Sequence, residues 1–237
     1  MTPEVDHRRR PPPRSRGVER ALEPTRRKYQ AEFERLVSAA RDVMSEHGTV
    51  DPTIGQVLAV AGLSTNAFYR HFPTKDDLLL ELVMQAGANT RSFLSHRMAQ
   101  QDTPRERVIA WIEGMFDLLG TRSSLRANRP FLFAHPRLVT RFPNEVTANI
   151  DLLVEPLAIA IHDLRPGSRQ QSLDDAHLLY HQVFGILLDR AAMARLSDAA
   201  EVKRVVDYSL RALLTPPRAS DLEPDPQASR LKLQDRG

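Results

Sequence analysis

Residues 53 to 74, TIGQVLAVAGLSTNAFYRHFPT, decide how the first third of this chain folds. Thr53 is placed to cap a short helix that turns Ile54, Val57 and Leu58 inward, and Ala61-Gly62-Leu63 makes a tight turn. Ser64 then caps a second helix running through Tyr69. Gly62 supplies the positive φ that ends the first helix, while Leu63 and Phe68 point back to fix the crossing angle. This is a helix-turn-helix. Such a unit turns its second helix outward, so that side chains near its N-terminus reach base edges in a major groove.

Working outward, the stretch LVSAARDVMSEHG before the motif and His71-Phe72-Pro73-Thr74-Lys75 followed by LLLELV after it complete a recognisable set. With Ala61-Gly62 and the pair Phe68-Tyr69, residues 30 to 90 resemble the TetR family of bacterial repressors. Asn66-Ala67 stand where Gly-Thr is common in that family, and Leu58 stands where a small residue is usual. The resemblance therefore implies the fold but no base preference. It also implies a homodimer that leaves a pseudo-palindromic double-stranded DNA operator when a small molecule binds.

Each residue of the motif carries an expected role. Thr65, Asn66 and Ala67 lie in the first turn of the recognition helix. Asn pairs bidentate with adenine, and an Ala methyl touches thymine. Thr53, Ser64, Tyr69, His71 and Lys75 are expected at phosphates through hydroxyl, imidazole, ammonium and helix N-terminal N–H donors. Arg70 either reaches DNA or pairs with a carboxylate.

The chain of 237 residues is 41% hydrophobic and 27% charged, enough for a small head and a larger body that bury their own cores. It has no cysteine, which excludes disulfides, thiolate catalysis and cysteine-based metal sites. No apolar run approaches the roughly 18 residues of a membrane span, and the basic N-terminus lacks the apolar core of a secretory signal. A cytoplasmic address follows as an expectation.

A net charge of +3 conceals an uneven distribution. Residues 1 to 29 hold nine Arg or Lys against four acids, whereas residues 30 to 90 hold four basic and eight acidic residues. Phosphate attraction dominates affinity for duplex DNA, so an acidic head needs cations placed locally or supplied by the arm. Pro3, Pro11, Pro12, Pro13 and Pro24 argue against a continuous helix there. Residues 1 to 24 are thus expected to be a disordered basic arm, either a solubilising tail or a phosphate tracker.

The rest reads as helices, with no convincing strand. The expected organisation is all-α: a three-helix DNA-binding head over residues 25 to 74, a regulatory and dimerisation domain over 75 to 215, and a disordered tail over 216 to 237. The first helix starts near Thr25 and Gly48 stops it. Thr74 caps a long helix reaching about His96, and Thr103-Pro104-Arg105-Glu106 is a capping box that opens another. Pro130, Pro136 and Pro143 are expected to break residues 120 to 144 into short pieces. A helix from Asn144 to Leu164 follows, then one opened by Ser172 and running through Leu196, and a last one capped by Asp198 and ended by Pro216-Pro217. Stripes around Val183, Leu187, Ala191 and around Val202, Val206, Leu213 are expected to pair two copies as a four-helix bundle.

From Leu118 to Asn144 there are five arginines and no acid, interleaved with Phe131, Phe133 and Phe142. If this basic segment borders a pocket lined by Trp111, Met115, Phe116, Arg129, Phe131, Ile150, Val154 and Phe184, the ligand is mainly apolar with an anionic end. Solvated loop arginines are the plainer account.

No cofactor or catalytic group is expected, because GxSxG, HExxH, the P-loop and GxGxxG are all absent. Asp174, His177 and His181 share one helical face and have His162 near them in sequence, a pattern compatible with a metal-sensing regulator. An α-helical enzyme is the more distant alternative.

Overall fold

The computed structural model describes residues 16 to 215 apart from 48, 50 and 166. These residues form nine helices: α1 (Arg16–His47), α2 (Ile54–Ala61), α3 (Thr65–His71), α4 (Lys75–Ala99), α5 (Pro104–Asp117), α6 (Arg122–Arg141), α7 (Pro143–Leu164), α8 (Arg169–Ala192) and α9 (Ala199–Leu214). They divide into two compact units at Leu82/Val83. The boundary falls inside α4, eight residues later than the sequence suggests, because the buried Leu78, Leu79 and Leu82 belong to the first unit.

In the first unit α1 packs on both α2 and α3. Its inward stripe of Leu36, Val37, Ala40, Val43 and Met44 is buried, as the 3-4 spacing requires. The helix begins at Arg16, not Thr25, so residues 16 to 24 are not an arm. Pro24 lies on an exposed turn, where the carbonyl that its missing N–H would have met can face water, and the remaining bonds carry the helix through. Residues 1 to 15, Gly48 and residues 216 to 237 lie outside the described residues, and with them the rest of the arm, the glycine stop, Pro216-Pro217 and the tail.

The second unit is built around Trp111, which is fully buried and donates its indole N–H to the Leu153 carbonyl at 3.4 Å. Helix α5 starts with the expected box, Thr103 Oγ1 accepting from the Glu106 N–H at 3.2 Å while Glu106 accepts from the Thr103 N–H at 3.1 Å. It packs on α7, α8 and α9, and α7 packs along α8. Ser197 ties the loop before α9 to the end of α5, its N–H donating to the Leu119 carbonyl and its hydroxyl to that of Phe116.

Two elements of this unit depart from expectation. Residues 122 to 141 form one helix despite Pro130 and Pro136. A box between Thr121 and Ser124 nucleates it, and Leu125, Leu132 and Leu138 bury one stripe, so that tertiary packing outweighs two missing backbone bonds. Helix α8 begins at Arg169, three residues before Ser172, because Ser168 and Gln171 form the reciprocal cap. Ser172 is instead buried within the helix, its hydroxyl donating to the Ser168 carbonyl. At the other end α8 stops at Ala192, and Ala194 adopts φ 51°, a left-handed turn short of Leu196.

The stripes expected to join two copies are used inside the chain. Val183, Leu187 and Ala191 are fully buried, and Val206 and Leu213 nearly so, all in the core of the second unit. Leu178 (69% exposed) and Tyr208 (60%) lie on the uncovered sides of α8 and α9.

If packing holds α6 against its prolines, Pro136→Ala restores one helical N–H at an exposed position and should stabilise the protein by about 2 kcal/mol, the helix gain being partly offset by the greater freedom of the unfolded chain. Thermal unfolding checks this; a fall in Tm would mean that the Pro136 ring contributes more to the folded state than the backbone bond it removes.

Candidate nucleic-acid interface

Helix α3 has seven residues, too few to be stable alone, so its position rests on caps and on α1. Thr53 and Gln56 form a reciprocal box at the start of α2: the Gln56 N–H donates to Thr53 Oγ1 at 3.2 Å and Gln56 Oε1 accepts from the Thr53 N–H at 2.9 Å. Gly62 sits at φ 61°, ψ 40°, and its N–H closes α2 on the Leu58 carbonyl. Ser64 Oγ then accepts from the Ala67 N–H at 3.2 Å. These are the caps and the turn that the sequence implied.

Helix α1 clamps this turn through two charged side chains. The Arg35 guanidinium donates to the carbonyls of Ala61 and Gly62. A Cβ on Gly62 would lie 3.1 Å from the same guanidinium, so glycine serves both the backbone angle and the clamp. One turn earlier Glu32 accepts from Arg70 at 2.5 Å and from His71 Nε2 at 3.3 Å. Phe68 is fully buried, its ring tilted against that of Phe72 at 5.8 Å, and Phe72 stacks on Phe33 at 5.3 Å.

The outward face is consequently well defined. Ser64, Thr65, Asn66 and Tyr69 are exposed, Tyr69 to 53%, and Thr53 stands exposed at the start of α2. Ala67 and His71 were expected on this face and are not there. Ala67 is 5% exposed because position 67 points down onto the core with Phe68. The His71 imidazole is fully buried, Tyr29 lying 4.1 Å from its ring and Glu32 on its Nε2, so it positions α3 and reaches no phosphate. Lys75 pairs with Asp51 at 2.5 Å, and Arg70 with Glu32. Tyr29, half-exposed and donating to the Arg70 carbonyl at 3.4 Å, was missed because α1 carries no motif that sets it apart.

Wholly within the second unit, a cavity of about 100 Å³ is lined by residues of α4 to α8. Four of the eight residues expected around a ligand line it: Met115, Phe131, Ile150 and Phe184. Trp111 and Val154 are fully buried core, and Phe116 faces a separate cleft beside α9. Arg129 is off the cavity too, its guanidinium stacked over Phe133 with 5.2 Å to the ring centre, because α6 is a helix and turns its arginines away from the apolar stripe. His135, Tyr180 and Asn149 line the cavity and were missed. Reading residues 122 to 141 as one helix would have found His135, which falls between Leu132 and Leu138 on the inward side.

The proposed metal ligands do not converge. His177 pairs with Asp151 at 3.0 Å, its ring centre is 6.4 Å from that of His181, and Asp174 accepts from Gln170. No cluster of three metal-ligating side chains occurs among the described residues.

Residues 36 to 82 match the model of bacterial regulatory proteins of the tetR family. A regulator of this helix-turn-helix class is also what two relatives are called: the HTH-type transcriptional regulators BetI of Rhizobium meliloti, 33% identical over 95 residues, and of Brucella anthropi, 30% identical over 91. These alignments cover 40% and 38% of this chain and 44% of each relative, so the chain spans less than half the length of the relatives it matches. A TetR transcriptional regulator from Rhodococcus sp. RHA1 superposes with a TM-score of 0.61 over 79% of this chain and 98% of the other at 16% identity, which establishes the fold of both units. Over residues 36 to 82 the N-terminal unit of this chain is similar to the tetR family, and its second unit has the helical build found in that regulator.

Glu32 gives the head an acid-sensitive latch. The His71 hydrogen bond first, and then Arg70, hold its carboxyl below the ordinary value of 4.5 against the opposing effect of burial. Since the folded-state pKa is lowered, the stabilisation is complete above about pH 4.5 and is lost as pH falls through the folded value. Protection factors of the α3 amides, exchange rates relative to the unstructured chain at the same pH, should fall below that point, and Glu32→Gln should lower them at neutral pH while flattening the acid response; an unchanged acid response would place the latch elsewhere.

Proposed function

We propose that this protein is a cytoplasmic, homodimeric transcriptional repressor that binds a pseudo-palindromic DNA operator and is released from it by a small molecule. The observation that carries the reading is the exposed N-terminal turn of α3, held out from a rigid three-helix head of tetR type. Asn66 is the base reader, able to bond the N6/N7 edge of adenine, with Thr65 beside it. Thr53, Ser64 and Tyr69 offer hydroxyls and helix N-terminal N–H groups to phosphates. Lys75 can join them only by leaving Asp51, a carboxylate that is itself half-exposed.

Residues 30 to 90 are acidic, so phosphate affinity needs cations from outside them, and Arg26, Arg27 and Lys28 on the exposed part of α1 are candidates together with the arginines before residue 16. A second copy is the partner that suits the uncovered α8–α9 face. Leu178, Gln182, Tyr208 and Ala212 line a groove there, and exposed Gly185 has open space where a Cβ would stand, which permits another helix to approach closely. Two-fold pairing then gives two α3 helices and hence a two-fold operator. The unit boundary inside α4 makes that helix the covalent route by which a ligand in the second unit biases the head.

Selection of bound sequences from random DNA tests the reading: a two-fold site should emerge. Asn66→Ala should then cost about 1 to 3 kcal/mol at that site and relax preference at one position per half-site. Equal loss on random DNA would remove Asn66 from base reading.

The pairing face has its own test. Leu178→Glu and Tyr208→Glu alter exposed positions, so each should yield folded monomer in sedimentation equilibrium. A dimer that survives both substitutions would move the interface off α8 and α9.

A further inference from the structure

We propose that the cavity between α4 and α8 takes a small, uncharged, mainly apolar molecule whose single hydrogen-bonding group is read by Nε2 of His135. This deepens the reading of the chain as a ligand-responsive regulator and rests on it. Three observations converge on that chemistry.

The wall comes first. Apolar side chains such as Val83, Leu118, Phe131, Ile150 and Phe184 make most of it, and the lining contains no Asp, Glu, Lys or Arg. A charged ligand would lose its water there with no counter-ion to replace it. The arginines of α6 do not repair this, since Arg129 stacks on Phe133 and none of the five lines the cavity.

The polar groups come next. His135 stands on the wall with its ring 4.6 Å from that of Phe184, and its Nε2 is closed to solvent with no hydrogen-bond partner. A buried polar nitrogen left unsatisfied destabilises the empty protein, and a ligand that supplies the missing partner removes the deficit. Burial, and then the neighbouring His181, lower the His135 pKa, which keeps the imidazole neutral at physiological pH. A neutral imidazole nitrogen exchanges a hydrogen bond with a hydroxyl or carbonyl and gives a carboxylate no charge to pair with. Tyr180 faces the same space, and burial pushes its phenol well above the ordinary value of 10, so it too stays neutral. Asn149 reaches the cavity because α4 has glycine at position 87: a Cβ there would stand 2.4 Å from the Asn149 amide oxygen.

Size is the third. A cavity of about 100 Å³ is smaller than the roughly 150 Å³ that accommodates benzene in an engineered apolar cavity. A ligand body of about one ring is therefore the largest that suits it, and it enters with some outward movement of the wall.

The test uses the full chain without DNA and three probes of nearly equal size: phenol, benzene and benzoate. Binding is followed by calorimetry and by emission of Trp111, the single tryptophan, whose indole bonds the backbone of the cavity residue Leu153. Phenol should bind about tenfold more tightly than benzene, a ratio that one net hydrogen bond supplies, and benzoate at least tenfold more weakly than phenol. His135→Phe should reduce phenol to the level of benzene and leave benzene unchanged, while His135→Gln should keep part of the difference. Absence of saturable binding, equal binding of phenol and benzene, or benzoate binding as tightly as phenol would each overturn the proposal. So would a phenol preference that survives His135→Phe, and if that variant does not fold the wild-type selectivity decides alone. Because no DNA is present, failure to find an operator would remove the regulatory reading and leave this result standing.

Discussion

The grip of α1 on the turn between α2 and α3 is the constraint from which the rest of the head follows. A seven-residue helix pays nearly the full nucleation cost for few backbone bonds, so it has no direction of its own. Arg35 holds the carbonyls at its N-terminal side and Glu32 holds Arg70 and His71 at its C-terminal end, while Phe68 anchors its middle. With both ends and one face fixed, Ser64, Thr65, Asn66 and Tyr69 are left facing outward. A side chain that is to meet a partner in one geometry needs such rigidity, because its backbone must be held to within a fraction of an ångström.

That same grip explains which motif residues face outward and which support. Around a short helix, positions three and four apart share a face, so Ala67 with Phe68 and His71 with Phe72 turn inward while Thr65, Asn66 and Tyr69 turn outward. His71 resembles a phosphate ligand by residue type alone. Its burial against Tyr29 and Glu32 makes it part of the scaffold, and the electrostatic cost of tying up Arg70 and Lys75 in ion pairs falls on the affinity for phosphate.

Local signals in the sequence were legible where the chain is governed by local rules. Thr53, Gly62, Ser64, Thr103 and Asp198 each occupy the cap or turn position that their chemistry favours, and the helices they bound begin and end accordingly. Legibility failed where packing over a distance overrode a local preference. Pro24, Pro130 and Pro136 each announce a break that the surrounding helix absorbs. The α8 stripe failed for a different reason: its apolar residues cover most of the surface, and nothing local distinguishes the side that meets α5 and α7 from the side left bare. Only burial does so, assigning Val183 and Leu187 to the core and Leu178 to the outside.

Misreading α6 as broken also displaced the chemistry of the cavity. As short separate pieces, residues 120 to 144 present five arginines as a basic lip; as one helix, the same residues sort by angle, with Leu125, Leu132, His135 and Leu138 inward and the arginines off the cavity. The two proline residues thus hide the one polar side chain that the helix carries into the apolar wall with a nitrogen left unpaired. Such a nitrogen is costly in an empty protein and is tolerated where a conformational equilibrium must respond to an occupant. The helical continuity of α6 and the hydrogen-bonding deficit of His135 are therefore one structural fact seen at two scales: the first places the imidazole in the wall, and the second gives the occupied state a contact that the empty state lacks.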